Sequence, residues 1–276
     1  MSEQHHKYLQ AGWKAVSEDD YERADILFGE AFDEAVAKDL PDDIAESFSA
    51  VIQASIMRDD YDAIENYSKT FLPKARQFWG DHINTAGALM NLGGAAFHRG
   101  DYDVALKWLI ESRDMMDRCA TKNIQRTFVL RNIAKIHMAQ GHPYDALEAL
   151  RAALKWAEEL HGYWHQECIM ILTLAGEAAW GAHEDALALQ HLNDGLERSL
   201  TSPTHWEIMV KLLKSLGVIH LSNKRFTQAD RCLTQALNIQ PDNSRYDTPT
   251  LRHLLKLQKA AREGIQGETH GHTQTD

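Results

Sequence analysis

The chain has 276 residues, 44% hydrophobic and 25% charged, with 16 Gly and 6 Pro; this is the composition of a packed protein and excludes collagen-like, disordered and disulfide-scaffold classes. The formal charge of −11 is confined to residues 1–70, where 17 Asp and Glu face 6 Lys and Arg, while the rest of the chain holds 23 of each. So acidic an end repels phosphate backbones, which excludes nucleic acid and anionic membrane as its partners and leaves a basic protein surface.

The first residues, Met1 to Lys7, are polar and lack the apolar core of a signal peptide. The longest charge-free apolar stretch, Cys168 to Gly176, is far short of the roughly 18 residues a membrane span needs. Cys119, Cys168 and Cys232 are odd in number and widely separated, as free thiols in a reducing compartment would be, so a cytoplasmic location is expected.

Along the chain the dominant signal is a repeat. Taking Ala24, Ala63, Ala105, Ala146, Ala188 and Ala229 as anchors gives spacings of 39, 42, 41, 42 and 41 residues. Four residues after each anchor stands a large side chain (Phe28, Tyr67, Leu109, Leu150, Leu192, Leu233), and seven after it a small one (Ala31, Thr70, Ser112, Ala153, Gly195, Ala236). Twelve before it stand Gly12, Val51, Gly93, Ala134, Gly176 and Gly217. Offsets of four and seven put three side chains on one helical face. The small residue twelve earlier belongs on a preceding helix, where it permits close crossing. Turn-forming stretches such as Arg99-Gly100-Asp101 and Gln140-Gly141-His142-Pro143 lie between the two.

Each unit is therefore a helical hairpin that must stack on its neighbours to bury its stripe. Hairpins are predicted at roughly 5–40, 41–80, 82–120, 122–161, 164–200 and 203–240, and a capping helix at 248–262 whose apolar stripe is Leu251, Leu254, Leu255 and Leu257. The repeat domain spans 1–264, a loop is expected at Asp242-Asn243-Ser244, and 265–276 is expected to be a disordered polar tail. The second copy departs most from the pattern.

Leu92-Gly93, Gly100-Asp101-Tyr102, Ala105 and Leu109 resemble the tetratricopeptide repeat, as do Leu216-Gly217, Phe226, Ala229, Leu233, Ala236 and Pro241, with Leu in place of the signature Phe. The period is longer than 34 residues, and the stretch from Gly80-Asp81-His82 to Asn91-Leu92-Gly93 is similar to the 42-residue repeats of kinesin light chains. The resemblance covers about residues 5–240. It implies an all-α, right-handed solenoid whose first helices line a concave binding groove.

The resemblance also implies which residues face that groove: Asn91 and Phe97 in the third copy, Asn132, Lys135 and Met138 with adjacent Arg131 in the fourth, Trp180 in the fifth, and Lys211 and Lys214 beside the sixth. Asparagines in register, Asn91 and Asn132, can pair with a peptide backbone without reading its sequence, as asparagines do in kinesin light chain-like repeats. Arg131, Lys135, Lys211 and Lys214 would favour an acidic partner, and Phe97, Met138 and Trp180 would supply apolar area. No Walker loop, Gly-x-Ser-x-Gly, His-Glu-x-x-His or Cys-x-x-Cys occurs. His161, His165 and Cys168 have helix-face spacing for zinc, but Gly162 breaks the segment, so no metal or cofactor is expected. The expectation is a non-enzymatic scaffold or adaptor that binds an acidic, apolar protein segment. The alternative is a peptide-sensing regulator like the long-repeat pheromone receptors; these usually carry an N-terminal effector module, for which no space precedes the first repeat. A metal-dependent enzyme ranks last.

Overall fold

A computed structural model describes residues 3–119, 123–200, 206–239 and 248–272. These form thirteen helices and no strand: α1 (Glu3–Ser17), α2 (Tyr21–Lys38), α3 (Pro41–Met57), α4 (Tyr61–Trp79), α5 (Ile83–His98), α6 (Tyr102–Arg118), α7 (Gln125–Ala139), α8 (Pro143–His161), α9 (Gln166–Gly181), α10 (Asp185–Ser199), α11 (Trp206–Ser222), α12 (Phe226–Asn238) and α13 (Thr248–His272). The fold is an all-α solenoid of helical hairpins. It divides into two compact units, Met1–Ile136 and His137–Asp276.

The turn inside every hairpin is one device. The residue five before each anchor has positive φ: Asp19, Asp59, Gly100, Gly141, His183 and Lys224. The next residue's amide then donates to a carbonyl five residues back, at 2.8 to 3.0 Å in all six copies. A single left-handed residue thus closes the first helix and starts the second. In the first two copies Asp20 and Asp60 also cap the second helix by accepting from the backbone N–H of Arg23 (3.1 Å) and Ala63 (2.9 Å).

This device corrects the register of the second copy. Its left-handed residue is Asp59, so the anchor is Ile64, not Ala63, and the buried face of α4 runs Ile64, Ser68, Phe71, Ala75. Thr70, seven after Ala63, is exposed. In the other copies the anchor lies in the core as read: Ala24, Ala105, Ala146, Ala188 and Ala229 are each 0% exposed.

The glycine twelve before the anchor has a steric cause. A Cβ on Gly93 would stand 2.6 Å from Leu109 Cγ, and one on Gly176 2.5 Å from Leu192 Cγ. The large residue four after the anchor fills the space a side chain would need. Seven after the anchor, the Ser112 hydroxyl donates to the Ala86 carbonyl at 2.7 Å, tying α6 to α5.

Within the first unit, successive hairpins are also latched by charge. Asp25 pairs with Arg58 (2.6 Å), and at the equivalent positions one repeat on Glu65 pairs with Arg99. In the second unit Arg198, 3% exposed, donates to Asp194 and Glu158 (2.9 and 2.7 Å) and to the Tyr163 carbonyl, and lies over the Tyr163 ring.

The terminal helix differs from expectation in two ways. α13 continues to His272, so 265–272 is helical rather than a disordered tail. Its buried residues are Leu254, Gln258 and Ala261, with Leu257 packed partly buried on the same core as expected, whereas Leu255 is 47% exposed. Gln258 donates to the Thr234 hydroxyl at 2.8 Å, and Gly264 lets α13 sit on the Phe226 ring, where a Cβ would come within 2.3 Å. Pro241, the loop at Asp242-Asn243-Ser244 and residues 273–276 lie outside the described residues.

Candidate functional site

The first unit holds a groove of about 470 Å³ lined by α3, α5 and α7, with Phe71 of α4 at its base. Its floor is apolar: the Phe48 and Phe71 rings stack with centroids 4.0 Å apart and planes 3° from parallel. Ile52, Ile56, Ile83, Met90 and Phe128 form the walls. Ile56 is 54% exposed, an apolar surface open to a ligand.

None of the described residues lining this groove is charged. Its polar groups are the Ser49 hydroxyl and four carboxamides, Gln53, Asn84, Asn91 and Gln125. Local structure fixes the amides at helix starts. His82 Nδ1 accepts from the Asn84 backbone N–H at 3.2 Å at the start of α5, and Asn123 Oδ1 accepts from the Gln125 backbone N–H at 2.8 Å at the start of α7. The Gln125 side-chain Oε1 is buried without a hydrogen-bond partner among the described residues. Gly87 faces it, and a Cβ there would lie 3.7 Å from that oxygen. A buried acceptor without a donor costs stability unless something supplies the donor.

Of the residues expected from the sequence, Asn91 lines the groove. Asn132 lies on α7 one turn past Phe128 and does not. Arg131, half-buried, has its guanidinium 5.2 Å from the Phe128 ring centroid, at the groove's rim. Lys135 is close enough to His98 to help hold that imidazole's pKa below its ordinary 6.5, burial being the larger cause. The His98 ring stacks on Tyr61 at 3.6 Å, and Phe97 beside it is half-buried. In the second unit Met138 and Lys214 are half-buried, Lys211 is exposed and Trp180 is 38% exposed. There α9 and α11 are joined by the Ser215 hydroxyl donating to Glu177 at 3.3 Å.

Gln53, Asn84 and Gln125 were missed by sequence reasoning. The positions one and four after the glycine-equivalent, which Lys135 and Met138 hold after Ala134, are Gln53 and Ile56 in the second copy once its register is set by Ile64.

His161 and His165 do meet, their rings stacked at 4.3 Å. Cys168 does not join them: its thiol donates to the Gly162 carbonyl at 3.5 Å, and burial pushes its pKa up to about 11. His165 Nδ1 instead caps α9 by accepting from the Glu167 N–H at 3.2 Å. Burial also raises the Cys119 and Cys232 thiols above their usual value, so none of the three is an activated nucleophile. Among the described residues no helix is long and apolar enough to cross a membrane.

Tetratricopeptide-repeat family models match residues 85–116 and 212–243. No curated protein matches the sequence. Among solved structures the chain is similar to BtubC (BKLC) from P. vanneervenii, at 14% identity and a TM-score of 0.64 over 89% of this chain and 95% of that one. It is similar to the apo form of RapI at 14% identity and 0.64, over 95% and 99%. A putative kinesin light chain with nearly identical TPR-like repeats from Podosopora anserina aligns at 13% identity and 0.59, over 73% and 98%. These likenesses are of fold.

Proposed function

Because the chain is a tetratricopeptide-repeat protein, a class that binds protein and peptide partners, we propose that it is a non-enzymatic interaction module, a scaffold or adaptor acting in the cytoplasm. Its ligand is a segment of a partner polypeptide held in the groove between α3, α5 and α7. The observation that carries this reading is the groove's chemistry among the described residues: apolar walls, no charge, four carboxamides, and a buried acceptor on Gln125 without a donor. A polypeptide backbone offers an N–H donor and a C=O acceptor at every residue, which carboxamides complement without regard to sequence. The apolar walls take alternate side chains of that segment.

Positive charge belongs to the flank rather than to the groove. Arg131 at the rim and Lys135 further along α7 suit an acidic stretch next to the apolar one. Met138, Trp180, Lys211 and Lys214 are proposed as contacts made by the second unit, and the acidic first 70 residues as a surface for a basic partner.

The test is selection of peptide segments that bind the wild-type chain, followed by affinity measurement on variants. Asn91→Ala with Gln125→Ala removes two amide contacts worth about 0.5–1.5 kcal/mol each and should weaken binding about 5- to 150-fold with helicity unchanged. Asn132→Ala, outside the lining, should do less. Undiminished binding by the double variant refutes the groove. A peptide-sensing regulator would use the same site, and the end-to-end likeness in fold to RapI is compatible with it. Small-angle scattering separates the two: a sensor changes its dimensions when a short peptide binds, and a rigid module does not.

A further inference from the structure

The six hairpin turns bring the same three positions together in every copy, and in the fourth copy those positions carry metal-ligating side chains. The bond that closes the turn runs from the residue four before the anchor to the carbonyl nine before it, so these two residues stand side by side. In the fourth copy they are His142 and His137, the amide of the first donating to the carbonyl of the second at 2.8 Å. The residue one before the anchor, a turn further along α8, is Asp145. The other copies have at most one imidazole at this turn, and none has an acid at the third position.

We propose that His137, His142 and Asp145 form a binding site for a first-row divalent metal ion of the zinc type. One donor atom from each lies within 4.8 Å of the others, and the two imidazole centroids are 6.4 Å apart. Metal–donor distances of about 2.0–2.2 Å put tetrahedral donors about 3.4 Å apart. Side-chain rotation supplies that contraction, because His142 and Asp145 are exposed and the His142 side chain makes no capping hydrogen bond. Nδ1 of the half-buried His137 is buried with no hydrogen-bond partner among the described residues. Two imidazoles and one carboxylate suit zinc, whereas calcium and magnesium take oxygen donors. Three protein donors leave the fourth position to water or to a donor from a bound partner. The ion would fasten the end of α7 to the start of α8, a cross-link independent of the groove.

The test is calorimetric titration of the full chain, stripped with chelator, with Zn²⁺ alone, repeated with Co²⁺ to read coordination from its visible absorption. The expected result is one Zn²⁺ per chain and a tetrahedral cobalt spectrum. Affinity should fall at least about tenfold in His142→Ala and in Asp145→Asn, since even changes around a metal's ligands cost 10–100-fold. It should hold within about twofold in His161→Ala/His165→Ala. In the wild type, ring resonances of His137 and His142 should shift on zinc addition, a readout that needs no variant. Absence of saturable binding, unchanged affinity in His142→Ala, or loss on removing His161 and His165 would each overturn the proposal.

Discussion

Two neighbouring glycines on α5 face opposite demands, and alanine at each should move stability in opposite directions. Gly93 sits against the second helix of its hairpin: a Cβ would stand 2.6 Å from Leu109 Cγ, 2.9 Å from its Cδ2 and 3.2 Å from the Ala105 carbonyl oxygen. Leu109 is 0% exposed, so it has no open space to swing into, and the Ala105 oxygen is backbone. Overpacking of this kind costs about 1–3 kcal/mol, and the helix-propensity gain of about 1 kcal/mol from Gly to Ala offsets only part of it. A Cβ on Gly94 meets nothing within 4 Å, so Gly94→Ala keeps the whole propensity gain. Gly93→Ala should therefore lose up to about 2 kcal/mol while Gly94→Ala gains about 0.5–1 kcal/mol. Urea midpoints followed by circular dichroism give the sign. Hydrogen exchange of the α5 and α6 amides gives the local value, because hairpin arrays need not unfold as one unit. Adding Leu109→Ala to Gly93→Ala should cost less than the two single changes together. If Gly93→Ala proves as stable as Gly94→Ala, the steric account of the repeat is wrong.

Three further outcomes follow from the same geometry. Replacing the left-handed His183 by glycine should stabilise by about 1 kcal/mol, and replacing Gly100 by alanine should destabilise by a similar amount, both read as thermal midpoints. Arg198→Met should cost about 2–3 kcal/mol, since it leaves Glu158 and Asp194 facing each other beside Tyr163. Arg198→Lys should recover little of it, because one ammonium cannot span both carboxylates and stack on the ring. His98, His191 and His220 all have pKa values lowered from 6.5, mainly by burial. The unfolded chain then binds protons that the folded chain resists, so stability should be full above about pH 6.5 and decline as pH falls below it. Replacing all three by glutamine should flatten that decline in unfolding midpoints between pH 7 and 5.5.

The hairpins were legible in the sequence because each repeat position obeys a steric rule that restricts its residue type: Gly93 and Gly176 can be nothing larger beneath Leu109 and Leu192. The second copy slipped by one because Ala63 and Ile64 are both acceptable apolar anchors. Its left-handed turn residue is Asp59, so no glycine marks the register as Gly100 and Gly141 do. Residues past 264 read as a tail because they are polar, whereas α13 runs on through Gly264, whose missing side chain admits the Phe226 ring. Asn91, which lines the groove, is legible from its place beside Gly93, but Asn84 and Gln125 sit in first turns, outside the helix-centre positions the repeat pattern addresses. His161, His165 and Cys168 have helix-face spacing, but α8 ends at His161, α9 starts at Gln166, and the thiol donates to the Gly162 carbonyl between them. His142 and Asp145 stand one helical turn apart, but His137 lies on the preceding helix, and the turn at Gly141 brings it to them.

The central claim, that a polypeptide segment lies between α3, α5 and α7, is tested most directly by photo-crosslinking from defined positions in the native cell. A photoreactive residue replacing Met90, inside the groove, should form an adduct with a partner chain, and Asn91→Ala with Gln125→Ala should strongly reduce that adduct. The same residue replacing Val104, 47% exposed on α6, should form none. Equal capture from Val104, or capture there and not at Met90, would contradict the account.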